Sequence, residues 1–428
     1  MNRPIYYHVD VNAAFLSWEA ARRLHDRQDT LDLRTVPAVV GGSEKTRHGI
    51  VLAKSTPAKA FGIKTGEALV SAREKCPGLI IVPPDYPLYV SCSRRLMRYL
   101  RRFSAAIDQY SIDESFMTMT GCEHTLGQPV LFADELRQMI ADHFGFTVNI
   151  GVSSNRLLAK MAGELRKPNR TLSLFPEEIP EKLWPLPVGD LFFVGRATTH
   201  RLLKLGITTV GELAASDPDM LAAHLKSAGR LIHELANGRD TDLFLTNIDE
   251  NKGYGNAVTV PADLTDSDTA DAYLLSLAET VGARLRADGM KARCVAVFVC
   301  TWEFERFSHQ RMMISPTDVT YELYRTAVSL LREVWHGDPI RQIGIRTSCL
   351  THEEAYQFSL FDPIRHDKLM KVDRAVDDIR RRMGENAVMR ACFLKAPVKN
   401  MAGGLDASRR TGITKAIPDM FPDEVDDV

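Results

Sequence analysis

The chain has 428 residues, 54 of them Lys or Arg and 55 Asp or Glu, for a formal net charge of −1. With 45% hydrophobic, 25% charged and 8% aromatic residues it has the composition of an ordinary globular protein, which excludes a fibrous or wholly disordered chain. Its length suggests about two to four domains, and no stretch reaches the ~20 apolar residues that span a bilayer.

From the start, MNRPIYYHVD meets a histidine and an aspartate before a signal-like apolar core could form, so secretion is not expected. The segment 5–11 (IYYHVDV) reads as a buried strand, and 14–24 as a helix with Phe15, Trp18, Ala21 and Leu24 at spacings of three. Short strands are predicted at 36–41 and 49–53, an arginine-rich helix over 90–103, a turn and strand over 110–120, a helix at about 129–143 and a strand at 146–152. This alternation predicts an α+β sheet domain with an inserted piece at roughly 25–80. A helix over 155–166 precedes Pro176, Pro180, Pro185 and Pro187, which mark a boundary. A helical block then runs over about 188–238, followed by an aperiodic linker at 239–255. A second unit of order β-α-β-β-α-β fills 256–349, with Leu274, Leu277, Val281 and Leu285 on one helix face. An amphipathic helix is predicted over about 363–383, and 384–428 shows no function. Seven cysteines, an odd number without a C-x-x-C pair, argue against a zinc site or disulfide framework and for a reducing cytoplasm.

Three acids stand in apolar, strand-like settings: Asp10 in HVDVN, and Asp113 and Glu114 in YSIDESF. Such groups are costly unless paired or bound to a cation. Taken singly, Asp10 reads more readily as the cap of a helix starting near Ala13, and Asp113-Glu114 as turn residues. Together, acids from two strands of one sheet can share a cation site, and hard oxygen ligands suit Mg²⁺. Two such ions would clamp an in-line phosphoryl transfer. Adjacent strand residues face opposite sides, so Asp113 and Glu114 can both serve only at a hairpin, which Tyr110-Ser111 leaves room for.

These motifs, with KSTPAKAFGIKTG at 54–66, GVSSNRLLAKMAGELRKPN at 151–169 and LFFVGRATTHRLLKLGITTVGEL at 191–213, resemble the Y-family translesion DNA polymerases, most closely the DinB or polymerase IV-like branch. The resemblance spans most of residues 1–240. It implies an α+β multidomain, right-hand-like polymerase. The expected parts are a ferredoxin-like palm (1–24 and 81–170), small fingers (25–80) and a helical thumb with a helix-hairpin-helix (171–240). A linker (241–253), a β-α-β-β-α-β little finger (254–352) and a clamp-binding peptide with C-terminal tail (353–428) complete it. Asp10, Asp113 and Glu114 are then metal ligands and catalytic residues, with the carbonyl of Val11 as a further ligand for two Mg²⁺. Phe15 falls where the family keeps a steric gate against a ribose 2′-hydroxyl, although plain core packing of its helix is the alternative. Thr56 and Lys59 align with a Tyr and an Arg that usually grip the triphosphate, a departure because lysine is a point charge rather than a bidentate fork; Lys54 is placed to compensate. Lys167 matches the family's phosphate-binding lysine, whereas Lys160 is expected at the surface or facing DNA. Asn12 and Ala13-Ala14 depart towards smaller side chains, and Phe192-Phe193 replaces a usual Pro-Gly before the hairpin.

Val194, Gly195 and Arg196 would offer backbone N–H groups to a DNA phosphate. Arg284, Arg286, Lys291, Arg293, Arg306 and Arg311 could meet phosphates or be merely solvated. Gln357, Leu360 and Phe361, in QFSLF, look like the peptide that binds the sliding clamp, with a packed strand or helix start as the alternative. The implied partners are primer-template DNA, dNTPs and the clamp, for a cytoplasmic monomer without membrane association. Two other readings compete: a non-catalytic DNA- and clamp-binding accessory paralogue, expected to have lost the acids, and a nucleotidyl cyclase, which needs neither hairpin nor clamp peptide. Net charge does not oppose DNA binding. Pro418–Val428 holds five acids and no bases, leaving 54 basic against 50 acidic groups in the first 417 residues. Arg94, Arg95, Arg98, Arg101 and Arg102 also cluster locally, enough to hold a phosphate backbone.

Overall fold

The computed structural model describes residues 3–26, 30–42, 49–122, 126–240, 251–352, 366–394 and 398–402. They form two compact units, one built mainly from the described residues up to 240 and one from those beyond 250. No helix among the described residues is long and apolar enough to cross a membrane.

The first unit runs β1 (Tyr6–Val11), α1 (Ala14–His25), β2 (Ala38–Gly41), β3 (Val51–Lys54), α2 (Thr56–Ala60), α3 (Leu69–Lys75), β4 (Ile80–Val82) and α4 (Tyr86–Leu100), then β5 (Ile107–Gln109), β6 (Glu114–Thr118), α5 (Pro129–Phe144), β7 (Val148–Ser153), α6 (Arg156–Leu165) and β8 (Thr171–Ser173). Its main sheet has the order β5-β6-β1-β7-β8, with β1 antiparallel to both neighbours. Alternation along β1 sorts its side chains. Tyr7, Val9 and Val11 enter a core with Leu16, Trp18, Leu96, Leu136 and Ile140, while His8 and Asp10 point to the other face. There α6 crosses so closely that a Cβ on Gly151 would lie 1.9 Å from the Ala159 carbonyl oxygen. Helix α4 begins four residues earlier than the apolar spacing suggests, because Asp85 accepts from the Leu88 N–H and Pro87 suits a first turn.

The inserted piece is a three-stranded sheet, order β3-β2-β4, whose third strand the sequence pattern did not show. After β8 come α7 (Arg196–Lys204), α8 (Val210–Ala215), α9 (Pro218–Leu225) and α10 (Ser227–Ala236) around a core of Leu202, Leu213, Leu221 and Leu235. Thr209 and Glu212 close a capping box at α8, as the T-x-x-E spacing requires.

The second unit has β9 (Gly253–Leu264), α11 (Ser267–Ala287), β10 (Lys291–Thr301), β11 (Arg306–Thr317), α12 (Thr320–Val334) and β12 (Ile340–Thr351) in the sheet order β11-β10-β12-β9. All neighbours are antiparallel, so each helix joins two strands of like direction that flank a third. Helix α13 (His366–Met383) and residues 391–394 and 398–402 pack on α11. Phe393, Val398 and Ala402 join its core, Arg380 and Arg390 hold the buried Glu279, and Ser276 and Thr280 donate to the carbonyls of Lys399 and Ala402. Arg286, considered above for phosphate contact, is instead buried against Asp373 and Asp377, and Arg311 is paired with Glu333. The motif Gln357–Phe361 lies outside the described residues.

The contact at Gly151 has no slack, since its nearest neighbours are backbone atoms. Gly151→Ala is expected to destabilise the first unit by about 3 kcal/mol, read as a lower urea midpoint with an unchanged denaturant slope.

Candidate active site

The register of the main sheet sets Asp10 of β1 directly opposite Glu114 of β6. Cross-strand partners share a face, so both carboxyl groups lie on the α6 side. Asp113 precedes β6, in the turn that joins it to β5, which resolves how neighbouring residues can serve one site. Ser111 shapes this turn: its hydroxyl donates to Asp113 Oδ1 at 2.6 Å and accepts from the Glu114 N–H at 3.0 Å. The Val11 N–H donates to the Asp113 carbonyl at 3.1 Å and closes the sheet edge. Beyond Val11 the chain reverses through Ala13, whose φ of 48° is left-handed. No side chain caps α1, which removes the reading of Asp10 as a helix cap. Asn12 donates to Thr147 Oγ1 at 3.2 Å.

Two lysines neutralise this face. Lys167 is ion-paired with Asp10 and, at 2.7 Å, with Glu164. Lys160 donates to Glu114 Oε2 at 2.7 Å. The expectation of a surface or DNA-facing Lys160 fails, because its side chain is only 7% exposed. Its ammonium lies over the rings of Tyr110 and Phe192 at 5.2 and 5.0 Å. Beneath Glu114, His8 is fully buried with Nε2 3.6 Å from Glu114 Oε2, too far for a hydrogen bond. Asn149, opposite Asp10 on β7, donates to the Gly163 and Arg166 carbonyls at 2.9 and 2.8 Å. It thereby satisfies the C-terminal end of α6 just before Lys167.

Burial raises the pKa of Asp10 to about 6, against the opposing pull of Lys167, and burial likewise raises Asp113. Burial also works against ionised Glu114, but the Lys160 ammonium hydrogen-bonded to it outweighs burial and holds the carboxyl below its usual range. His8 contributes less, because burial drives it towards its neutral form. The donor set of three carboxylates and one carbonyl is all hard oxygen and fits Mg²⁺. Among the described residues, no group of three or more His, Cys, Asp or Glu side chains closes around a single point. The ammonium groups of Lys167 and Lys160 are the cations held at Asp10 and Glu114.

The other expected residues stand on other elements. The half-buried ring of Phe15 stacks on Tyr89 at 4.3 Å and abuts Trp18 and Tyr86. Thr56 and Lys59 are exposed on α2, which Ser55 caps, and Lys54 donates to Thr65 at 3.1 Å. Val194 is buried, and Gly195 and Arg196 open α7 beside a recess of roughly 470 Å³ that Thr199 and His200 also line. Where the family's Pro-Gly is replaced, Phe193 takes a left-handed φ of 71°, the conformation a glycine would adopt freely. Sequence reasoning missed His8 and Asn149, and found Ser111 only as a turn residue, not as a hydrogen-bond partner of Asp113 and Glu114. His8 was recoverable, since it stands two residues before Asp10 and so shares its face.

The raised pKa of Asp10 has a stability consequence. Between the ordinary 3.8 and about 6, the folded protein holds a proton that the unfolded chain has released. The charged carboxylate therefore costs stability above pH 6, and the cost fades as the pH falls through that value. Asp10→Asn is expected to stabilise the protein at pH 8 by on the order of 1–3 kcal/mol, with the gain in thermal midpoint shrinking towards pH 5.

Residues 9–164 match the impB/mucB/samB family, and residues 251–360 match the C-terminal domain of that family. A DNA polymerase IV of Clostridium acetobutylicum is 42% identical over 395 residues, covering 92% of this chain and 99% of that protein. One from Moorella thermoacetica is 36% identical over 388 residues, covering 90% and 95%. Among solved structures, a Y-family DNA polymerase chimera of Dbh and Dpo4 superposes with a TM-score of 0.67 at 22% identity, covering 82% of this chain and all of that one. That likeness shows a shared α+β polymerase fold. With the sequence matches, it establishes that the chain belongs to the DNA polymerase IV family, the DinB-like branch of the Y-family DNA polymerases.

Proposed function

We propose that in this translesion DNA polymerase Asp10, Asp113 and Glu114 form the catalytic centre. They would serve a two-metal transfer of a dNTP onto a primer 3′-hydroxyl. The observation that carries this is the register placing Asp10 opposite Glu114, with Asp113 in the adjoining turn. The residues that would hold two Mg²⁺ are those three acids and the Val11 carbonyl. Bound there, the ions would supply activation of the hydroxyl and neutralisation of the triphosphate. Lys167, 34% exposed and shared between two carboxylates, would turn towards an incoming triphosphate. Thr56 and Lys59, exposed on α2, are our second triphosphate contact. Phe15, held by Tyr89, would sit beneath the sugar as a gate.

We assign residues 1–24 and 81–170 to a palm, 25–80 to fingers, 171–240 to a thumb, 241–253 to a linker and 254–352 to a little finger. In the thumb we assign Val194, Gly195 and Arg196 to a phosphate of primer-template DNA; the Val194 N–H is already donated to the Leu191 carbonyl at 3.0 Å, so Gly195 and Arg196, at the start of α7, would supply the N–H groups. In the little finger, Arg293 and Arg346 are exposed on the sheet face away from the helices. Gln357, Leu360 and Phe361, within 353–428, are our candidate contact with a sliding clamp. We further propose a cytoplasmic monomer.

Primer extension with Mg²⁺, on intact and lesion-containing templates, tests the centre. Asp113→Ala and Glu114→Ala are each expected to lower incorporation by at least about 10²-fold, and full activity in both variants would refute the assignment. Phe15→Ala is expected to keep dNTP incorporation and to lose roughly 10²-fold of its discrimination against ribonucleotides.

A further inference from the structure

We infer that Lys160 is a fixed counter-charge that keeps the acid trio from capturing divalent cations before a nucleotide arrives. The inference rests on reading Asp10, Asp113 and Glu114 as the metal-binding centre. It starts from a difference between the two lysines. Lys167 lies at the surface with a second partner in Glu164, so it can leave Asp10 without being stranded. Lys160 has no such freedom. Its ammonium is buried, donates to Glu114 at 2.7 Å, and is boxed in by the faces of Tyr110 and Phe192.

The backbone holds it there too. Asn155 caps α6 by accepting from the Leu158 N–H at 2.8 Å, and Gly151 lets that helix lie against the sheet. A buried ion pair of this kind is a poor source of stability, because desolvation offsets the attraction. Aromatic faces compensate the ammonium only in part. Its placement therefore does more for the electrostatics of the centre than for the fold.

Three carboxylates alone would form a strong cation trap. With Lys160 and Lys167 in place, the formal charge of the group is −1. When Lys167 turns away, Lys160 stays and the group carries −2, which balances one divalent ion but not two, so the negative charge for the second must come with it. A nucleoside triphosphate brings that charge, so cation and nucleotide are drawn in together. A unit charge about 5 Å from a divalent ion, at an effective dielectric of about 20, changes its affinity by more than tenfold.

The test uses the full chain without DNA or nucleotide and Mn²⁺ alone as probe, with free Mn²⁺ followed by electron paramagnetic resonance. Lys160→Gln keeps a hydrogen bond to Glu114 but loses the charge, and Lys160→Met fills the space between the two rings. Both are expected to bind Mn²⁺ at least about tenfold more tightly than the parent protein, while Lys160→Arg leaves the affinity unchanged. Structural damage would weaken binding instead, so tighter binding cannot arise from misfolding. Unchanged or weaker binding in both neutral variants would overturn the inference. Adding Glu114→Gln to Lys160→Gln separates the two layers. Loss of the tight binding supports the acids as its site, whereas its persistence would overturn the metal-site reading itself.

Discussion

Two carboxylates directly opposite one another on neighbouring strands repel, and burial removes the water that would screen them. The pair Asp10–Glu114 is in this position, with Asp113 at the strand end. Much of the first unit can be understood as the means of tolerating it. The positive charges come from one short stretch, α6 and the residues after it, which supplies both Lys160 and Lys167. That stretch must lie against the acid-bearing face at a fixed depth. Gly151 lets it approach, Asn149 ties off its C-terminal carbonyls, and the His8 ring fills the floor against Phe116. The opposite face of the same strands is an ordinary apolar core, which anchors the sheet while the functional face carries the electrostatic cost.

The arrangement also ties the catalytic face to the start of the helical block. Phe192 packs edge-on against Tyr110, the residue that opens the acidic turn, and both rings cover the Lys160 ammonium. Phe193, next in sequence, adopts a backbone conformation unfavourable for a large side chain, immediately before the turn that starts α7. Strain and cation–aromatic contact thus meet at one junction, between the acids and the turn proposed to hold DNA.

Much of this was legible in the sequence, for identifiable reasons. The acids stood out because charge inside an apolar strand is unusual, and the β-α-β-β-α-β order of the second unit followed from alternating periodicities. What escaped depends on contacts between residues far apart in the chain. Lys160 looks like any lysine on a helix, and its burial follows from Tyr110 and Phe192, some fifty and thirty residues away. Asn149 sits among Val and Ile in a strand, and its task is set by where α6 ends. Arg286 and its aspartate partners are some ninety residues apart, so no local pattern marks the arginine as buried.

The packing of 391–394 and 398–402 on α11 bears on the order in which the second unit is assembled during synthesis. Helix α11 buries Ser276, Glu279 and Thr280, and the groups that satisfy them belong to residues 380–402. These emerge from the ribosome more than a hundred residues after Glu279. The four strands and two helices can associate earlier, but one flank of α11 stays wet until the later stretch arrives. At roughly 5–20 residues per second, that interval lasts on the order of ten seconds. The half-assembled sheet must survive it with its sides open to other chains, and hydrophilic Ser276, Glu279 and Thr280 on the waiting flank make that intermediate less sticky.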